Sequence, residues 1–264
     1  MVSGLMRDWL LNLSIPVMAV VVFAGSYALA AIVYFGTMKL ATGDRARSIK
    51  ALSPGMLPPL GIIFGLLVGF IAAQVWSDFE KAKVAVATEA SALRTVNLLA
   101  AGLPEAQREQ FRSLVRKHVD IAVNEEWPAM AEHRATLSAL PAALTEALQA
   151  TLAVPASDEG QRMTRSEILR ALETALDARR QRIIISQSSV STVKWAGLLL
   201  QALCALVAIA MVHSDNRLTC LIALFIFGTG IALSVLLIAV YSQPFTGEVS
   251  VGPELLKQVA IQPQ

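Results

Sequence analysis

The chain has 264 residues, 55% hydrophobic and 16% charged, against about 45–50% and about 25% in soluble globular domains, which argues against an ordinary soluble domain. A formal net charge of +2, with dispersed basic residues and no nucleic-acid motif, argues against a nucleic-acid partner. Two cysteines, Cys204 and Cys220, lie in apolar stretches and read as small packing residues rather than as a disulfide or metal pair.

Charge is sharply segregated. Residues 9–38, 51–77, 195–212 and 218–247 carry no Asp, Glu, Lys, Arg or His. A membrane span needs about 20 mostly apolar residues, or about 17 at the short end, and all four windows reach that length. In hydrocarbon the backbone must satisfy its own hydrogen bonds, and none of the windows alternates as a barrel strand does. The predicted fold class is therefore all-α: a polytopic membrane protein with four transmembrane helices and a helical extramembrane domain between the second and third. The predicted division is 1–77 for the first two spans, 78–194 for the extramembrane domain, 195–242 for the last two spans and 243–264 for the tail.

The first uncharged window is far longer than the roughly 7–15 apolar residues of a cleaved signal, so it reads as a retained helix over 15–36. Pro16 sits in the first turn, where its missing N–H costs little. The connection 39–50 carries Lys39, Arg45, Arg47 and Lys50 against Asp44. The second helix starts at Pro58-Pro59, passes Trp76 and continues on the three-or-four repeat of Phe79, Ala82, Val86, Ala90, Leu93, Val96 and Ala100. Gly102-Leu103-Pro104 interrupts it. Phe111, Leu114, Val115, His118, Val119 and Ala122 mark the next amphipathic helix, and Glu126-Trp127-Pro128 is expected to break or kink it. A weaker helix covers 139–152, and 155–160 reads as a loop. Residues 166–193 contain no Gly or Pro, with Ile168, Leu172 and Leu176 on one face, and are predicted to run unbroken into the third span. The turn 213–217 makes an antiparallel hairpin. The fourth span ends near Tyr241, and the tail 242–264, with three prolines and two glycines, is predicted extended, with Gln243-Pro244-Phe245 able to dock.

Four spans put both termini and the domain on one side. Trp9, Trp76, Trp195 and Tyr241 all fall at the domain-side ends, as an interfacial belt does. Basic residues flank both sides, so charge asymmetry gives no orientation.

In the second span Gly61, Gly65 and Gly69 form a small-residue stripe, which lets backbones approach closely, within one chain or between copies. Ile62, Leu66 and Phe70 form a bulky stripe about 100° round the cylinder, open to lipid, to a neighbouring helix or to a pore. No ionisable residue lies in the four apolar cores, against a proton-coupled transporter. Gln74 and Gln201 read as interhelical hydrogen-bonding groups. His118, His133 and His213 are dispersed and match no catalytic or metal spacing, so neither an enzyme nor a cofactor is expected.

The run Pro58-Pro59, Ile62, Leu66, Gly69-Phe70 and Trp76…Phe79-Glu80 resembles the pore helix of bestrophin anion channels. The stretches Glu89-Ala90…Leu93-Arg94, Leu103-Pro104, Trp127-Pro128, 179–189 and Gln243 to Gly247 resemble the bestrophin-like family of bacterial membrane proteins, distant relatives of those channels. Together they cover most of the chain. The resemblance implies a homopentamer in the cell inner membrane, with domain and termini cytoplasmic, passing small anions such as chloride. It also implies a hydrophobic neck at Ile62, Leu66 and Phe70, and a turn at Pro244, Phe245 and Gly247 after the last span. Calcium-gated bestrophins follow that turn with an acidic run; here only Glu248 and Glu254 follow, so no calcium clasp is expected. The rival expectation is a non-conducting structural or sensory membrane protein whose helical domain binds a partner.

Overall fold

The computed structural model describes residues 13–41, 54–138, 140–154 and 158–260; Trp9, Asp44, Arg45, Arg47, Lys50 and residues 155–157 lie outside them. The helices, in chain order, are α1 (Ile15–Leu40), α2 (Leu57–Ala100), α3 (Glu105–Ile121), α4 (Trp127–Ala131), α5 (Ala142–Ala153), α6 (Glu159–Ser186), α7 (Thr192–Val212), α8 (Arg217–Tyr241) and α9 (Glu254–Ala260). Among the described residues there is no strand. Two compact units emerge, Met1–Ser77 with Ser189–Gln243, and Asp78–Ser188 with Pro244–Gln264.

The first unit holds α1, the start of α2, α7 and α8, which among the described residues are the four helices long and apolar enough to cross a membrane. Side chains that touch lipid on one side must still pack on the other. On α2 the packed side is Phe64, Ile71 and Val75, which join Leu198 and Leu206 of α7 and Leu224 and Ile231 of α8. Trp76 stacks on Tyr241 at 5.6 Å and 9°. The tightest seam is α1 against α8. Tyr27 stacks on Phe225 at 5.0 Å, and a Cβ on Gly228 would meet the Tyr27 ring at 3.7 Å. Thr229 Oγ1 donates to the Phe225 carbonyl at 2.8 Å, so the Tyr27 hydroxyl is the donor in its 3.0 Å bond with Thr229. Asn216 caps α8, accepting from Leu218 and Thr219 N–H, which closes the hairpin with α7. Cys204 and Cys220 are both free thiols.

The second unit packs the amphipathic half of α2 against α3, α5, α6 and α9. Its core takes Val86, Leu93 and Val96 from α2, Phe111 from α3, Leu144 from α5, Ile168 and Leu172 from α6 and Leu256 from α9. The period-3.6 stripe read from the sequence is the buried face of α2.

Three local expectations are corrected and one is narrowed. Of the break or kink expected at Glu126-Trp127-Pro128, the break does not occur. Residues 122–126 widen into a π turn in which the Trp127 N–H reaches the Ala122 carbonyl, leaving room for a ring that would otherwise clash one turn back. Glu159 and Gly160 are helical rather than loop, because Asp158 caps α6 by accepting from Gln161 N–H at 2.8 Å. The expected continuous helix into the third span ends at Ser186 and restarts at Thr192. There Ser186 Oγ bonds the Ile183 carbonyl and Ser191 caps α7; serine hydroxyls compete with the helical ladder for backbone groups. The tail, finally, docks at Gln243 and Phe245, as the sequence allowed, but carries the helix α9 instead of running extended. Phe245 meets Trp127 edge-on at 5.9 Å, Trp127 Nε1 donates to the Val251 carbonyl, and Gly247 turns the chain at φ 87°, a conformation that favours glycine.

Leu256 is fully buried in this core. Leu256→Ala is expected to destabilise the second unit by about 2–5 kcal/mol, measured by thermal unfolding in detergent; an unchanged midpoint would refute the docked tail.

Candidate functional site

The residues singled out on α2 fall on its uncovered side. Ile62, Leu66 and Phe70 are 62%, 55% and 71% exposed. A Cβ built on Gly61, Gly65 or Gly69 would meet nothing within 4 Å, so among the described residues these glycines pack against no part of their own chain. Among the described glycines of the spans, the one that meets another helix is Gly228. Gln74 Oε1 accepts from Lys194 Nζ of α7, an interhelical bond as expected, while Gln201 Nε2 is buried with no partner among the described residues. Pro244, Phe245 and Gly247 form the docked turn of the tail.

Helical register extends the uncovered sector of α2. At 100° per residue, Ala73, Ser77, Glu80, Lys83, Val84, Ala87, Ser91, Thr95 and Leu98 return to within about 60° of Ile62, and all nine are exposed. Beyond Ser77 the sector thus turns from apolar to mixed, with the Glu80–Lys83 ion pair and the hydroxyls of Ser91 and Thr95 among small and apolar side chains. Glu89 lies 27 positions after Ile62, about half a turn round the cylinder, and is fully buried on the opposite side.

That carboxylate belongs to a cluster in the second unit. Arg182 of α6, with no exposure, donates from Nε to Glu89 Oε2 at 2.7 Å and from Nη2 to Oε1 at 3.0 Å. The same Nη2 reaches Glu126 Oε2 at 2.8 Å. Arg179 Nε donates to Glu126 Oε1 at 2.7 Å, and His118 Nε2 to Glu89 Oε1 at 2.9 Å. The Arg182 guanidinium also lies 4.6 Å from the Trp127 ring centroid. Two carboxylates thus face two guanidiniums, and the cluster ties α2, α3, the π turn and α6 together.

Burial by itself raises the Glu89 carboxyl, but the Arg182 charge and hydrogen bonds from His118 and Arg182 more than offset it, bringing the pKa from 4.5 down to about 2. For Arg182 burial works against the cation, and Glu89 and Glu126 outweigh it, so its pKa rises. A cavity of about 390 Å³ beside the cluster is lined in part by His118, Glu126, Arg134 and Arg179. Arg134 is paired to Glu132 and Arg179 to Glu126, so neither guanidinium is left uncommitted there. The cluster is a structural brace, with its charges spent on one another.

Sequence reasoning missed this brace. The signal was present: Glu89 falls in the apolar register of Ala82, Val86 and Leu93, and Arg179 and Arg182 fall in that of Ile168, Leu172 and Ala175. A charged residue on a buried stripe implies a partner of opposite charge.

A bestrophin-like domain model matches residues 24–256. No curated protein matches the chain. Among solved structures, a membrane protein with a Pro-to-Ala substitution aligns with TM-score 0.72 at 12% identity, over 90% of this chain and 96% of that one. A bacterial bestrophin homologue from Klebsiella pneumoniae with a Leu-to-Thr substitution aligns with TM-score 0.70 at 14% identity, over 92% and 96%. The same homologue with an Ile-to-Thr substitution gives 0.71 at 13%, over 92% and 97%. At such identities the likeness is one of fold.

Removing one partner of a buried pair leaves the other charge bare. Glu89→Gln is expected to cost about 3–5 kcal/mol, read by denaturant unfolding or amide exchange in α6. Because the Glu89 pKa is lowered on folding, its stabilisation is complete above about 4.5 and is lost as pH falls towards about 2. The wild type should therefore weaken more steeply across that window than Glu89→Gln; parallel pH curves for the two would refute the assignment.

Proposed function

The chain belongs to the bestrophin-like family, and from that premise we propose that it is an oligomeric ion channel with the uncovered sector of α2 facing the pore. Ile62, Leu66 and Phe70 form its hydrophobic neck. The observation that carries this reading is that α2 leaves a bulky stripe exposed beside a glycine stripe that touches nothing in its own chain. Copies packed through the glycine flank, closed into a ring, would set the bulky stripe towards the axis, since symmetric closure is the usual end of a repeated interface. Five copies follow from the family resemblance.

From position 62 to 70 the helix rises about 12 Å, long enough for an apolar constriction to gate by dewetting without any charge. The exposed Ser77, Ser91 and Thr95 in the same sector suit a wetter continuation of the path. Anion selectivity for chloride is carried over from the family, as are an inner-membrane location and cytoplasmic termini. No calcium clasp is assigned, because the tail lacks the acidic run.

Truncating Ile62, Leu66 and Phe70 together to alanine should widen and wet the neck and raise chloride flux in liposomes. The control triple is Ile63, Leu67 and Ile71. Ile71 is 4% exposed, so its truncation alone should cost about 2–5 kcal/mol, and the control should lower stability without raising flux. Equal behaviour of the two triples, or absence of conduction by every variant, would overturn the pore assignment and leave an anchored partner-binding domain.

A further inference from the structure

A crevice of about 330 Å³ lies between α1 and α8, lined by Tyr27, Ala31, Tyr34, Phe35, Leu221 and Phe225 among others. The hydroxyl of Tyr27 is committed to Thr229, and the ring planes of Tyr34 and Phe35 stand at 77° with centroids 5.3 Å apart. The walls are carbon and aromatic ring. A water molecule needs two to four polar partners to settle in such a space, and this lining does not supply them. Both helices are apolar enough to cross a membrane, so the natural filling is hydrocarbon. Tyr27 to Phe35 spans about 12 Å along α1, close to the roughly 15 Å depth of one leaflet of a 30 Å core.

One end of the crevice is charged. The antiparallel register of the pair is fixed by Tyr27 on Phe225 and Thr229, with Tyr34 and Leu221 in the same crevice. One further turn brings Lys39 level with Arg217. Lys39 follows Phe35 by four residues, and Arg217 precedes Leu221 by four, so each stays within about 40° of the crevice line. Both are exposed. Among the described residues, the one acid of the neighbouring hairpin, Asp215, is outnumbered by Lys39 and Arg217.

We propose that this crevice binds one acyl chain of an anionic bilayer phospholipid, whose phosphate is held at the rim by Lys39 and Arg217. Apolar wall and cationic rim follow one another in the order of a phospholipid's own tail and headgroup. The site lies on α1 and α8, away from the uncovered sector of α2, and its occupancy does not depend on conduction.

The test is native mass spectrometry of the full-length, detergent-solubilised protein, mixed with phosphatidylglycerol or with phosphatidylcholine. Wild type should retain phosphatidylglycerol preferentially. Lys39→Gln with Arg217→Gln should reduce that preference roughly thirtyfold, the scale set by two basic residues at an anionic surface. Ala31→Trp, which fills the crevice, should lower retention of both lipids. Equal retention of the two lipids by wild type, or an unchanged preference in the double variant, overturns the proposal. A change of oligomer mass in Ala31→Trp with lipid retention intact overturns it too, and assigns the crevice to a second copy. Both cations are exposed, so the double variant carries the test even if Ala31→Trp does not fold.

Discussion

The second unit depends on how Arg182 is neutralised. A guanidinium without solvent contact costs several kcal/mol unless opposite charges and hydrogen bonds surround it. Here Glu89 holds it on one side and Glu126 on the other, while the Trp127 ring lies over it. These demands fix other elements in turn. Glu126 ends the π turn and Trp127 follows at once, so the widened turn before Pro128 is what brings carboxylate and ring to the same guanidinium. Trp127 then meets Phe245 edge-on and donates its indole N–H to the Val251 carbonyl. The docking of the tail follows from a charge pair two steps away.

The same helix that supplies Glu89 to this brace carries the apolar span. Over its 44 residues, α2 has one covered side and one bare side. The covered side changes from lipid-compatible carbon at Phe64 and Ile71 to a core stripe closed by Glu89. The bare side changes from Ile62, Leu66 and Phe70 to exposed Ser77, the Glu80–Lys83 pair, Ser91 and Thr95. A channel wall asks for little more than this: a continuous surface whose wettability alters along its length. It needs no reactive group, and the titratable residues of the brace are turned the other way and committed to one another.

Much of this architecture is legible in the sequence because hydrocarbon permits so few solutions. An uncharged run of span length must be helical, and the stripe from Ala82 to Ala100 states which face of α2 is buried. What escaped was set by side chains acting on backbone. The halt at Ser186 depends on serine hydroxyls bonding carbonyls and capping α7, and a run without Gly or Pro conceals it. The π turn before Pro128 depends on where Glu126 and Trp127 must point. The helix α9 depends on a core site for Leu256 and Val259 that exists only after the rest of the unit has folded. The brace was readable in part, through Glu89 on an apolar stripe, but pairing it with Arg182 requires the tertiary fold.

The exposed apolar residues of the first unit fall into two kinds. Val20, Ile32 and Phe35 of α1 are 68–69% exposed and present carbon that lipid tails solvate well. The flank of α2 is different, because its bulky stripe is accompanied by Gly61, Gly65 and Gly69. Glycine weakens a helix by about 1 kcal/mol relative to alanine, and lipid contact gives nothing back for a missing methyl. Three such positions in strict four-residue spacing are explained by the close approach of another backbone. No helix of the same chain makes that approach among the described residues. The proposed ring supplies that second backbone to the glycine flank, whereas the α1–α8 crevice, walled by rings and rimmed by cations, suits the lipid proposed for it.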